Sequence, residues 1–380
     1  MSALVYMISN RYNIEYTPSL IGGATSGATS GATSGATSGA TSGATSDTKE
    51  STIRPTSTNT SKFVDELSYD TYFLLTTNVF TKIEWDNRTN FTSMINKFGI
   101  DIKELSCVSQ EWGQDLVKQI KTTTNNKLEI DIVARHQSDR LINEIHNIFP
   151  LENISYHLLD NNTNKYNLMK GGNFITLPEY ISDASGEKMK SIITLKSNKQ
   201  LLDITENENN FSPYIYLKVY FPDFEIDTYH GMSVFHIDEI LTIIPTGLGK
   251  DDYDIWFYNP TCSDESYQEK LVAIQQYNLG ILYEFFPKSR IKLFELEFVK
   301  DNFIKNPPLF NRVILRKGNN FRVIFPKQDE KLENQIKSQI EIYNTNNNIY
   351  IENCFVDTSQ LHKENGNIHC GYKAIPIIHR

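Results

Sequence analysis

A cysteine set among glycines, a histidine two positions before an aspartate, and a second aspartate three positions after a tryptophan are the residue types here that could do chemistry. In Gly366-Asn367-Ile368-His369-Cys370-Gly371, Cys370 lies between two glycines in a polar stretch just after an apolar one. That setting predicts a thiol placed for exposure rather than packing, unlike Cys262 or Cys354. Thiol catalysis pairs such a nucleophile with a histidine and an acid from elsewhere in the chain. His369 is adjacent to Cys370, and neighbours on an extended chain point apart, so His236 is the better proton carrier. His236 and Asp238 stand in Phe235-His236-Ile237-Asp238-Glu239, flanked by Met232-Ser233-Val234 and Ile240-Leu241-Thr242-Ile243-Ile244. The flanks predict a buried strand closed by Pro245 and Gly247, with His236 and Asp238 on one face. A satisfied core histidine beside a structural aspartate would give the same pattern, since neither group is cheap to bury alone. Two more stretches belong with these. Glu111-Trp112-Gly113-Gln114-Asp115-Leu116 carries a carboxylate after a Trp and a Gly in a loop. Met169-Lys170-Gly171-Gly172-Asn173-Phe174 has paired glycines, which let backbone approach a ligand or turn tightly.

The elements that must position these residues read as an α/β mixture. Strands are predicted over 72–77, 128–133, 191–195, 214–221, 253–258, 312–315 and 321–325, with 349–356 the last. A helix over 140–149 has Leu141, Ile142, Ile145 and Phe149 on one side. Another, over 263–282, has Ser263-Asp264 at its cap and Gly280 near its end, and a third, over 331–343, spaces Leu332, Ile336 and Ile340 by four. Lys317-Gly318-Asn319-Asn320 is a turn between paired strands. Residues 62–380 therefore form one α/β or mixed α+β domain with no visible internal repeat. Residues 1–61 differ: 23–46 is a perfect Gly-Ala-Thr-Ser tandem repeat, and its period of four is not that of collagen. It carries nothing large enough to bury, so a disordered low-complexity tail is expected.

Composition narrows the class. The 380 residues are 39% hydrophobic and 12% aromatic, enough for a sizeable core, and a net charge of −9 argues against a nucleic-acid or membrane-surface partner. No apolar run approaches the roughly 20 residues of a spanning helix, and no basic-then-apolar leader opens the sequence. The four cysteines are scattered, with no metal-type CxxC pair, which points to reduced thiols in a cytoplasmic protein without a structural metal.

Taken in order, Trp112-Gly113-Gln114-Asp115, Gly172-Asn173-Phe174, His236-Ile237-Asp238-Glu239 and Ile368-His369-Cys370-Gly371 resemble the guanidino-group-modifying enzymes. More narrowly they resemble the catalytic domain of the protein-arginine deiminases. Asn306-Pro307-Pro308-Leu309-Phe310-Asn311 is similar to that family's proline- and asparagine-bearing loop before a strand. The resemblance is patchy over 63–376, and the agmatine deiminases share most of the same residues. It implies a pentein-like, five-bladed α/β propeller of ββαβ modules with the active site on its axis. It also implies substrate-binding roles for Trp112, Gly172 and Asn173, and for Arg140 as the arginine that holds a substrate backbone. An ordinary helix-start arginine would look the same.

The same residues fit deimination on chemical grounds. A guanidinium is a delocalised cation and a poor electrophile, so carboxylates must hold its N–H groups while a strong nucleophile faces its carbon. Asp115 and Asp238 would be the clamp, Cys370 the nucleophile, and His236 the donor to departing ammonia and activator of water. No cofactor is needed for this chemistry. Vertebrate-type relatives in the resembled family bind calcium through acids whose matching positions here are Leu116, Lys118 and Ile175, so that site is expected to be missing. The first reading is deimination of arginine side chains in peptides or proteins to citrulline and ammonia. The second is deimination of a small guanidino compound such as agmatine or free arginine. The third is an inactive propeller serving as a binding module.

Overall fold

Apolar runs bounded by Gly, Pro and Asn cannot each cover both of their faces, so they assemble into small sheets backed by helices. The computed structural model describes residues 62–63, 65–69, 72–106, 112–122, 128–134, 139–149, 154–160, 172, 174–178, 180–181, 188–189, 192–195, 215–217, 236–249, 251–299, 303–304, 307–363 and 366–377. All belong to one compact unit, residues 59–380. The expected tail, 1–61, and Asn173 lie outside the described residues.

The described chain opens with β1 (Lys62–Phe63), β2 (Tyr72–Thr77), helix α1 (Arg88–Phe98) and β3 (Ile102–Leu105). The short helix α2 (Gly113–Leu116) leads into β4 (Val117–Thr122), β5 (Leu128–Ala134), helix α3 (Asp139–Ile148) and β6 (Ile154–Asp160). Next come β7 (Phe174–Thr176), β8 (Tyr180–Ile181), β9 (Lys188–Met189), β10 (Ile192–Leu195) and β11 (Ile215–Leu217). The helical turn α4 (Ile237–Ile240) precedes β12 (Leu241–Pro245), β13 (Tyr253–Cys262), helix α5 (Glu265–Phe285), β14 (Ile291–Val299) and β15 (Phe303–Ile304). β16 (Val313–Lys317), β17 (Asn320–Pro326), helix α6 (Glu330–Asn346) and β18 (Tyr350–Val356) follow. Last come α7 (Ser359–Lys363), α8 (Ile368–Gly371) and β19 (Lys373–Pro376).

One strand order recurs in five sheets. The pairs β19–β2, β4–β5, β7–β10, β12–β13 and β16–β17 are antiparallel. The centre strand of each then lies parallel to a third: β2–β3, β5–β6, β10–β11, β13–β14 and β17–β18. Parallel neighbours need a crossover, and α1, α3, α5 and α6 supply it in four of the five.

Local sequence explains most of these elements. Asp329 caps α6 by accepting from Leu332 N, and Leu332, Ile336, Ile340 and Tyr343 bury one face of it. Asp264 caps α5 in the same way, through Tyr267 N. Lys317 pairs with Asn320 across a two-residue turn in which Gly318 takes φ 60°, a conformation that favours glycine. β2 is buried on both faces: Phe73 and Leu75 pack with Ile130, Leu141 and Ile145, while Tyr72 and Leu74 pack with Phe91, Ile95 and Val313. Two expectations are corrected. α5 runs three residues past the expected end at Leu282, to Phe285; Gly280 lies on an open face, where nothing forces a turn. The strand ending at Val356 is not the last, because β19 follows and pairs with β2. Its four residues are too short a run to stand out against Pro376.

Candidate active site

Each of the five sheets receives the outer strand of its antiparallel pair through a segment whose key residue lies two or three positions upstream. These are Gln114 before β4, Gly172 before β7, Asp238 before β12, Asn311 before β16 and Cys370 before β19. Their contacts converge. Asn311 Nδ2 donates to Cys370 Sγ at 3.0 Å, and Asn311 Oδ1 accepts from His369 N at 2.8 Å, so one amide grips both residues of the α8 turn. His369 Nδ1 lies 2.6 Å from Asp238 Oδ2. His369 Nε2 lies 3.0 Å from Glu66 Oε1 and 2.9 Å from Gln114 Nε2. Arg312 donates through NH1 to Glu66 Oε2 (2.9 Å) and through Nε to Thr242 Oγ1 (2.7 Å), while Lys373 Nζ donates to Gln114 Oε1 (3.2 Å).

Glycines make the approach possible. A Cβ on Gly172 would stand 2.6 Å from Asp238 Oδ1 and 2.9 Å from His236 Nδ1, so His236 and Asp238 share a wall of bare backbone. A Cβ on Gly113 would stand 2.7 Å from Gly371 O and 2.9 Å from Leu75 O, which lets α2 and α8 touch. Thr76 Oγ1 also donates to Gly371 O at 2.9 Å, tying the α8 turn to β2.

Four sequence expectations change here. Residues 237–240 are a helical turn, not strand, and β12 starts only at Leu241. The cause is local: Glu239 Oε2 accepts from His236 N at 2.9 Å and Glu239 N donates to His236 O at 3.1 Å, a capping arrangement that competes with extension. Cys370 is not exposed but only 6% accessible, because the polar residues around it satisfy one another rather than facing water. His369 does not point away from the site, because residues 368–371 are helical rather than extended. Trp112 and Gly113 likewise leave no solvated loop: Gly113 starts α2, and the Trp112 ring lies 5.6 Å from that of Phe80.

The electrostatics follow from burial. Burial, then the negative charges of Asp238 and Glu239, push the Cys370 thiol well above its ordinary pKa, and the Asn311 hydrogen bond offsets this only in part. Burial opposes charge on Glu66, yet Arg312 and His369 outweigh it and hold the carboxyl well below the usual range. Burial also opposes charge on His369, but Glu66 and Asp238 raise its pKa overall. Lys373 is drawn down by burial against the pull of Glu66 and Asp238. One acceptor stands apart: Asp238 Oδ1 is buried and has no hydrogen-bond partner among the described residues. A buried carboxylate oxygen left open is costly, and a ligand N–H would satisfy it.

No protein-family model and no curated protein sequence matches the chain. Solved structures do. The agmatine deiminase of C. jejuni is 14% identical over 85% of this chain and 98% of its own, with a TM-score of 0.52. A Porphyromonas gingivalis protein named for arginine deiminase is 15% identical over 83% and 98%, at 0.50. A protein named for peptidyl-arginine deiminase is 14% identical over 83% and 99%, also at 0.50.

The chain has a pentein-like α/β fold.

Within this fold the structure brings together Cys370, Asp238, His236 and Gly172 of the expected site residues. The side chain of Asp115 and all of Asn173 lie outside the described residues. Arg140 stands exposed in the first turn of α3 and makes no hydrogen bond or ion pair among the described residues. Leu116 is fully buried with Val117 and Leu128, and Ile175 packs on another apolar cluster. Among the described residues no helix is long and apolar enough to cross a membrane. Sequence reasoning missed Glu66, Arg312, Lys373 and the role of Gln114. Only Gln114 had a signal, its place inside Trp112-Gly113-Gln114-Asp115. Asn311 closed a quoted motif without being singled out.

Proposed function

We propose that the protein hydrolyses the guanidinium group of a small guanidino compound, releasing ammonia and leaving a ureido product. The observation that carries this reading is a buried thiol, gripped by Asn311, in a cluster with an aspartate whose remaining oxygen is open against bare glycine backbone. Asp238 Oδ1 would accept a guanidinium N–H. The arriving cation offsets Asp238 and Glu239, so the Cys370 proton passes more readily to His236 and the thiolate forms beside its target. Thiolate attack on the central carbon forms a C–S bond, and the C–N bond breaks as His236 gives ammonia its proton. Water, deprotonated by the same imidazole, then attacks the thiouronium carbon, and C–S cleavage returns the thiol. Asp115 is the second clamp in this reading; it stands two residues before β4, the offset that Gly172 and Asn311 have before their strands. The five sheets are read as blades around this site.

A protein-arginine substrate is the second reading, carried by the motif resemblance. The small substrate is preferred because a solved structure of similar fold is an agmatine deiminase, while Arg140, the residue that would hold a peptide backbone, stands exposed without a contact to the cluster among the described residues. The test is ureido production from agmatine, free arginine and a blocked arginine peptide, each with calcium and with chelator, beside Cys370→Ala. Turnover of a small substrate, indifferent to chelator and reduced about four orders of magnitude or more in Cys370→Ala, is expected. Comparable turnover of the peptide would restore the second reading. Silence on all three from folded protein would overturn both and leave a binding module.

A further inference from the structure

Asp238 offers one oxygen and has the other occupied. The occupant is His369, which the proposed chemistry does not use. Its Nδ1 meets Asp238 Oδ2 at 2.6 Å. Its Nε2 is flanked by two groups of opposite character: Glu66 Oε1, which only accepts, at 3.0 Å, and the amide nitrogen of Gln114, which only donates, at 2.9 Å. Both flanking groups are fixed from behind. Gln114 Oε1 accepts from Lys373 Nζ at 3.2 Å, which turns its NH2 toward the imidazole, and Glu66 Oε2 is held by Arg312 at 2.9 Å.

A ring nitrogen between an acceptor and a donor is satisfied with or without its proton. When His369 is charged, Nε2–H donates to Glu66. When it is neutral with the proton kept on Nδ1, the Nε2 lone pair accepts from Gln114. Nδ1–H donates to Asp238 in both states, because a carboxylate can only accept. We propose that His369 is a positioning residue for Asp238, and that the Glu66–Gln114 pair lets it hold Oδ2, and so aim Oδ1 at a cationic substrate, on both sides of its own titration. The identity of that substrate rests on the deiminase reading; the hydrogen-bond arrangement does not.

The arrangement matters because the substrate is itself a cation. His369 contacts Asp238 at α4, Glu66 after β1 and Gln114 on α2, with Cys370 next to it on its own turn; Lys373 on β19 stands behind Gln114, Arg312 behind Glu66, and Glu239 and His236 flank Asp238 at α4. A guanidinium seated at Oδ1 adds positive charge within this set and favours loss of a proton from His369. A histidine with only Glu66 behind it would then set its Nε2 lone pair against a carboxylate and turn. Gln114 removes that penalty, so the clamp survives its own loading.

The test uses the full chain. Nitrogen-15 NMR of its histidines, across the titration and with methylguanidinium as probe, should show His369 protonated on Nδ1 in both charge states. A neutral His369 carrying its proton on Nε2 would overturn the inference. In kinetics, His369→Leu should raise KM at least tenfold and lower kcat less. His369→Asn, whose amide nitrogen stands near the Nδ1 position, should recover most of the KM and lose its pH dependence. Glu66→Gln should move the pH inflection of KM downward, and Gln114→Leu should raise KM only on the alkaline side. An unchanged KM in His369→Leu, with folding verified by circular dichroism, would also overturn it. If the wild-type protein turns over no guanidino substrate, the deiminase reading fails alone, and the His369 tautomer still decides this one.

Discussion

Two carboxylates are buried at opposite ends of one hairpin. Asp238 lies three residues before β12, and Asp254 sits in β13 opposite Ile244, near the far end of β12. Asp254 is enclosed: its Oδ2 accepts from Tyr343 Oη at 2.5 Å, Tyr343 Oη accepts from Trp256 Nε1 at 3.1 Å, and Lys292 Nζ stands 3.7 Å away. Burial raises its pKa while Tyr343 and Lys292 pull against the rise. The chain of donors pins α6, which carries Tyr343, onto β13, and Trp256 stacks on Phe325 beside it. Asp238 also bonds through Oδ2, but its Oδ1, unlike that of Asp254, is buried without a hydrogen-bond partner among the described residues. Burial is therefore common to both acids. What separates them is an acceptor left open, with glycine backbone rather than a side chain in front of it.

This contrast can be broken in order of effect. Asp238→Asn should lower kcat/KM about 10²–10³-fold, the usual cost of losing one preorganised charge partner in an enclosed site, whereas Asp254→Asn should stay within about twofold. The reverse ranking would end the distinction. Gly172→Ala comes next. Its methyl would enter the space before Oδ1, and KM should rise about tenfold or more with the thiol still present to thiol reagents; an unchanged KM would mean that the substrate does not pass there. The smallest effect is on the thiol itself. Alkylation of Cys370 by iodoacetamide should be slow at neutral pH, with its midpoint well above that of an ordinary thiol, since the protonated form persists until the pH exceeds a raised pKa. Asp238→Asn should move that midpoint down by removing a negative charge, and Asp254→Asn should leave it in place while costing about 1–3 kcal/mol in denaturant unfolding.

Much of the fold was legible because its elements carry their own signals. The caps Asp264 and Asp329 and the four-residue spacing of Leu332, Ile336 and Ile340 required no tertiary context. The five-fold strand order was not legible, because the modules repeat hydrogen bonding rather than residue identity. Even the shared upstream position holds Gln114, Gly172, Asp238, Asn311 and Cys370, no two alike. The turn at 237–240 was misread because apolar flanks outweighed one glutamate three residues past the cap, and that glutamate is the deciding residue. At the site, residue types and their order pointed to Cys370, Asp238 and His236. Glu66 and Lys373 were invisible because their partners are remote in sequence: Glu66 meets a ring 303 residues away, and Lys373 an amide 259 residues away. Polarity misled at Cys370, where Asn311 and His369 hydrogen-bond within the protein and exclude water.

The pairing of β19 with β2 also sets an order in time. Gly371, the residue after the thiol, is bound by a hydroxyl 295 positions earlier, and the strand that follows it completes the sheet begun by β2. Contacts of such separation form late in folding, because the intervening chain must first be gathered. During synthesis, β19 is the last of the described strands to leave the ribosome. Four of the five sheets need nothing from it, so a nascent or prematurely released chain can hold most of this architecture without a seated Cys370. The Cys370 sulphur is thus seated as a final step, and unfinished chains carry the scaffold without it.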